Sequence, residues 1–125
     1  MKPQEWRRSL GRRGEELAAS YLEKKGYLIL QRNYRSGAGE MDIVAQEGDC
    51  LVFVEVRARS TREYGTPEES ITPSKAQRLI EVAQGYLQEQ GESAREWRID
   101  LVAIQLRGDF YRLNHVVNAV TGDGL

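Results

Sequence analysis

Two short alternating runs, Met41 to Gln46 and Cys50 to Val56, meet through Glu47-Gly48-Asp49, and Gly-Asp is a favoured pair for a two-residue hairpin turn. No other stretch constrains the fold so tightly, because the turn sets a register. With Gly48 and Asp49 as the loop, Glu47 faces Cys50, Gln46 faces Leu51, Val44 faces Phe53, Asp42 faces Glu55 and Glu40 faces Arg57. Opposed residues share a face, with Cβ atoms about 5 Å apart. One face is therefore expected to carry Glu40, Asp42, Val44, Leu51, Phe53, Glu55 and Arg57. Like charges directly opposed destabilise a sheet, and Asp42 and Glu55 stand beside core-type residues. A divalent cation between them would offset the repulsion.

At 125 residues the chain is expected to form one domain, with a core over about residues 9–117. No apolar run approaches the roughly 20 residues needed to span a bilayer, and the first residues lack the apolar centre of a signal peptide. The expectation is a cytoplasmic protein that does not engage a membrane. Cys50 is the single cysteine and His115 the single histidine, so there is no internal disulfide, no zinc cluster and no Ser-His or Cys-His couple. Carboxylate chemistry remains. The formal charge is −1, yet residues 1–35 hold nine Lys or Arg against four Glu. That basic end, with Arg12 and Arg13, is placed to meet phosphate.

Along the chain, a helix is expected from near Ser9 to Lys25 and stopped by Gly26, with Leu10, Gly14, Leu17, Ala18, Tyr21 and Leu22 as its buried stripe. A strand over Tyr27 to Tyr34 leads through Ser36-Gly37-Ala38-Gly39 into the charged hairpin. A polar loop follows over 58–71, carrying Arg59, Arg62, Tyr64, Gly65 and Pro67. Thr72-Pro73 reads as an N-cap followed by proline at the first helical position, opening a helix to Gln90 with Ala76, Leu79, Ile80, Ala83, Tyr86 and Leu87 inward. Trp97 to Leu106 and Phe110 to Val117 form a last hairpin. The order αβββαββ, with a helix joining strands three and four, predicts a mixed sheet packed by helices, an α/β/α sandwich with a parallel crossover.

Asp42 and Glu55, with the Val56 carbonyl, are the oxygen ligands that Mg²⁺ or Mn²⁺ prefers. A cation there would acidify a bound water and balance charge on a phosphodiester, with Arg57 beside the phosphate. Glu40 and Arg57 fit either a cross-strand salt bridge or a catalytic pair. Glu15 reads as a solvated helix charge or a site residue. Asp100, between Ile99 and Leu101, reads as a buried pairing carboxylate or a site neighbour, and Lys75 and Arg78 as surface charges or phosphate contacts. Cys50 and His115 read as ordinary strand residues.

Gly11 to Ala18, Gly26-Tyr27, Gly39 to Ala45, Leu51 to Arg59, Lys75 and Arg98 to Val102 resemble the bacterial YraN-like (UPF0102) family of small uncharacterised proteins. That family is similar to archaeal Holliday-junction resolvases within the restriction-endonuclease-like PD-(D/E)xK superfamily. The resemblance implies that fold and a Mg²⁺- or Mn²⁺-dependent nuclease acting on DNA, branched or single-stranded. It matches Glu15 to the helical glutamate, Asp42 to the first acidic residue, Glu55 to the second and Arg57 to the lysine position. Met41 stands where the usual proline would be. Under it Glu15 joins Asp42, Glu55 and the Val56 carbonyl as a metal ligand and Glu40 assists, while Arg12, Arg13, Arg59, Lys75 and Arg78 contact the substrate. Arginine is effectively always protonated, so Arg57 would stabilise a phosphate and not act as a general base. The rival expectations are a binding module of the same fold that has lost turnover, and an interaction subunit of a larger DNA-processing machine. A homodimer is expected from the resolvase comparison.

Overall fold

The computed structural model describes residues 3–60 and 71–120. Its elements are α1 (Pro3–Lys24), β1 (Leu28–Ser36), β2 (Gly39–Glu47), β3 (Cys50–Ser60), α2 (Pro73–Glu89), β4 (Trp97–Arg107) and β5 (Phe110–Val120), in the expected order. The five strands form one sheet in sequence order. All neighbours run antiparallel except β3 and β4, the pair that α2 connects. Among the described residues no helix is long and apolar enough to cross a membrane.

The sheet buries both faces. On one lie Val44, Leu51, Phe53 and Ile99 with the inward side of α2, where Phe53 meets Tyr86 and Trp97 edge-on at centroid distances of 5.5 and 5.9 Å. On the other, Ile43, Ala45, Val52, Val54, Val102 and Ile104 pack against Ala18, Ala19 and Leu22 of α1. Period-two alternation sends neighbouring strand residues to opposite helices, and each helix supplies a stripe of small and branched residues.

The element ends have local causes. Gly26 closes α1 at φ +92°, with the Tyr27 N–H donating to the Leu22 carbonyl at 3.0 Å. Thr72 caps α2 by accepting the Lys75 N–H on Oγ1 at 3.2 Å. Several expected boundaries move outward. Helix α1 begins at Pro3, six residues before Ser9 (9 − 3), and β5 continues three residues past Val117 (120 − 117). Both extensions lie outside the expected 9–117 core. Strand β3 runs on to Ser60, taking three residues from the expected loop, and Arg62, Tyr64, Gly65 and Pro67 lie outside the described residues. In α2 the buried face includes Val82, which the predicted stripe omitted, while Ile80 is only half-buried.

Candidate functional site

The β2–β3 register is the one the turn dictates: Glu47 pairs with Cys50, Gln46 with Leu51 and Val44 with Phe53. It stops at Ile43 and Val54, one pair short of Asp42 and Glu55. There the Asp42 side chain takes the ladder's place, its Oδ2 accepting the Val56 N–H at 2.8 Å. A strand residue aims its N–H and C=O to the same side, so the Val56 carbonyl also faces the Asp42 side of the gap. The same level of β1 is irregular. Asn33 sits at φ +54°, a left-handed conformation that Asn tolerates better than most residues. Tyr34 and Met41 consequently join the α2-side cluster while Ile43 stays with α1.

The gap opens into a pocket of about 280 Å³, walled by Glu40, Asp42, Glu55, Val56 and Arg57 from the strands and by Lys75, Arg78, Leu79 and Val82 from α2. Glu55 is the electrostatic centre. Its Oε2 lies 3.0 Å from Arg57 Nη2 and 2.9 Å from Lys75 Nζ, and the residue is only 5% exposed. The N-cap fixes the first turn of α2, which explains how a helical lysine reaches a strand glutamate. Beside this ion triad, burial first and then the Glu55 carboxylate push the Asp42 carboxyl up to about 9, against the opposing pull of the Val56 amide. Two carboxyls share a space that leaves one of them protonated unless a further positive charge enters. Arg57 Nε is buried with no hydrogen-bond partner among the described residues, a donor left for an incoming acceptor.

The expected Glu40–Arg57 pairing does not form as a ladder pair or salt bridge. Glu40 pairs across β1 with Arg35, 3.7 Å from its Nε, and Arg57 turns to Glu55, because the ladder that would have opposed them ends before their level. Both still line the pocket. Glu15 approaches from α1. With the Asn33 amide oriented so that its nitrogen faces the carboxylates, it donates to Glu15 Oε1 at 2.8 Å and Glu40 Oε1 at 3.1 Å. Burial foremost, and then Glu40 and Glu16, raise the Glu15 carboxyl above its ordinary value in spite of Arg32. Glu15 thus stands behind the pocket, linked to it through Asn33 and Glu40, and is not part of the pocket wall. Among the described residues no three Asp, Glu, His or Cys side chains gather into a ready cation cage.

Lys75 and Arg78 reach the pocket, whereas Arg12, Arg13 and Arg59 are not among its lining residues. Arg13 Nη1 instead donates to the Gly108 carbonyl at 2.8 Å and ties α1 to the β4–β5 turn. Asp100 is wholly buried on the α1 face, where Arg98, His115 Nε2 and the Asn118 N–H converge on it. It is a pairing carboxylate, as one of its two readings had it. His115 is more than a filler of β5, because it links Asp100 at 2.8 Å to the Tyr21 hydroxyl at 3.1 Å. Asn33 was not predicted. An asparagine inside an otherwise regular strand pattern, preceding an acidic segment, is the signal that could have marked it.

Fold and site together define a mixed α/β domain with a carboxylate–cation pocket where two strands part. The chain belongs to the uncharacterised protein family UPF0102, whose model matches residues 14–104. It is similar to the UPF0102 protein of Pelotomaculum thermopropionicum, with 50% identity over 90% of this chain and 96% of that one. The UPF0102 proteins of Syntrophomonas wolfei and Carboxydothermus hydrogenoformans are 44% and 43% identical, each over 97% of its own length and over 90% and 91% of this chain.

Proposed function

We propose that this pocket hydrolyses phosphodiester bonds in DNA with the help of Mg²⁺ or Mn²⁺, and that the fold is the restriction-endonuclease-like one of the PD-(D/E)xK superfamily. The reading rests on one arrangement above all: the Asp42 and Glu55 carboxyls side by side, with Arg57 and Lys75 both on Glu55. Asp42, Glu55 and the Val56 carbonyl would hold the ion, leaving its other positions to water and phosphate oxygens, which is how Mg²⁺ is commonly bound. Glu15 would act from behind through Asn33 and Glu40. A bound ion supplies Lewis acidity toward the phosphate and lowers the pKa of a coordinated water.

The chain's own groups do the rest. Arg57 keeps its charge throughout the physiological range, so it grips phosphate and accepts no proton; its unpartnered Nε is free to donate to a non-bridging oxygen. Lys75 adds a second cation from the opposite wall, which offsets the absence of lysine at position 57. Arg78 extends the positive rim. In the reaction the oxygen of water bonds to phosphorus as the sugar oxygen leaves and takes up a proton.

Purified protein incubated with end-labelled DNA and Mn²⁺ should give cleaved product that chelation abolishes. Asp42→Ala and Glu55→Ala should each lower the rate by about a hundredfold or more. No product from any DNA form, or undiminished cutting by these variants, would overturn the proposal. Arg57 in the lysine position favours one second reading, a binding module without turnover, which predicts salt-sensitive DNA binding with no product.

A further inference from the structure

We infer that Lys75 is a placeholder cation: it holds Glu55 Oε2, gives that oxygen up when Mg²⁺ or Mn²⁺ binds, and so sets how tightly the pocket takes the ion. Glu55 Oε2 accepts from Arg57 Nη2 at 3.0 Å and from Lys75 Nζ at 2.9 Å. Each carboxylate oxygen has two lone pairs, so these two donors leave Oε2 none to offer. For Oε2 to serve as an ion ligand, one donor must leave. Side-chain chemistry decides which. Arg57 sits two residues from Glu55 on the same strand, with its Nε buried and its planar fork already aligned. Lys75 reaches across the pocket from α2 on a flexible four-carbon stem, and its compact ammonium is strongly hydrated once released.

The helix itself does not favour a lysine at this position. The first turn of α2 holds no acidic side chain, and a cation in a first turn works against the helix dipole. Lys75 is anchored through its backbone, whose N–H donates to Thr72 Oγ1 at 3.2 Å, so the side chain can move without undoing the cap. In contact with Glu55 the ammonium charge is neutralised; released, Nζ remains on the pocket wall with that charge available to a phosphate oxygen. Lys75 thus passes from partner of Glu55 to phosphate contact as the site is loaded. The inference rests on the pocket being a divalent-ion site, as proposed above.

Two measurements on the full chain with Mn²⁺ alone test this without DNA or cleavage. Calorimetric titration should give a Kd about tenfold lower for Lys75→Met than for the unaltered protein, the gain expected if Lys75 occupies Glu55 for about nine-tenths of the time. Lys75→Arg keeps the charge and the reach, and it should bind the ion no more tightly than the unaltered chain. Arg78→Met removes a charge from the same wall without removing a Glu55 contact, and it should change Kd by less than about threefold. The second measurement needs no substitution: Mn²⁺ should raise acetylation of Lys75 several-fold, read by mass spectrometry, and leave that of Lys24, exposed on α1, unchanged. An equal gain with Arg78→Met, or Lys75 acetylation that Mn²⁺ does not raise, would overturn the inference. Ion binding by the unaltered chain that Lys75→Met fails to improve would remove this inference alone, whereas heat from neither protein would take the metal proposal down with it.

Discussion

Asp42 does two jobs that pull against each other. Its carboxyl replaces a ladder acceptor for the Val56 amide, and it shares space with Glu55. A carboxyl whose pKa is raised on folding binds more protons folded than unfolded, so between its ordinary 3.8 and about 9 it lowers stability as pH rises. In EDTA at about pH 8, Asp42→Asn, which keeps an acceptor for Val56, should be more stable than the unaltered protein by about 0.5–2 kcal/mol. In denaturant melts that difference should vanish near pH 4, below which Asp42 is protonated in both states. Lys75 gives the complementary prediction. Removing its charge with Lys75→Met should lower kcat by about a hundredfold with little change in DNA affinity, as single-turnover kinetics would report. Equal loss of binding and rate would instead make it a plain substrate contact.

At the scale of elements, the site depends on how closely α1 lies on β3 and how firmly β5 is held to β4. Gly14 marks the first contact: a Cβ there would lie 2.7 Å from Ala58 Cβ, so Gly14→Ala should cost about 1–3 kcal/mol in thermal or denaturant melts. Asp100 secures the second. Despite the upward push of burial, His115, Arg98 and the Asn118 amide hold its carboxyl below the ordinary range. Its contribution is therefore present above about pH 4 and lost as pH falls further. Asp100→Ala strands buried partners and should cost about 3–5 kcal/mol, with the acid limb of the stability profile flattened. The sequence made the hairpin legible because a two-residue turn leaves one register, and the stripe of α2 because Thr72-Pro73 fixed its phase. It did not show where the ladder would stop. That depends on a side chain substituting for backbone at Asp42 and on a left-handed Asn33, neither of which is written in the alternation of apolar and polar residue types. Nor could spacing within one strand reveal that His115 meets Asp100, which requires the β4–β5 register with its shift between Ile99 and Leu101.

For the whole molecule, the two faces of the sheet divide the labour. The α1 face is closed by the Arg98–Asp100–His115 network, and the α2 face opens at the strand ends into the carboxylate–cation pocket. Charge counted along the chain was a poor guide to charge in space. The basic first third, with Arg12 and Arg13, supplies none of the pocket's cations; these come from Arg57, Lys75 and Arg78, farther along the chain. The register read from the turn, by contrast, did bring Glu55 and Arg57 into one pocket with Asp42. The account stands on that pocket being built for a divalent ion, and calorimetric titration of Mn²⁺ into the unaltered protein and into Asp42→Asn measures it directly. The prediction is saturable binding of the ion by the unaltered chain and its loss in the variant. Equal binding by both, or heat from neither, would contradict it.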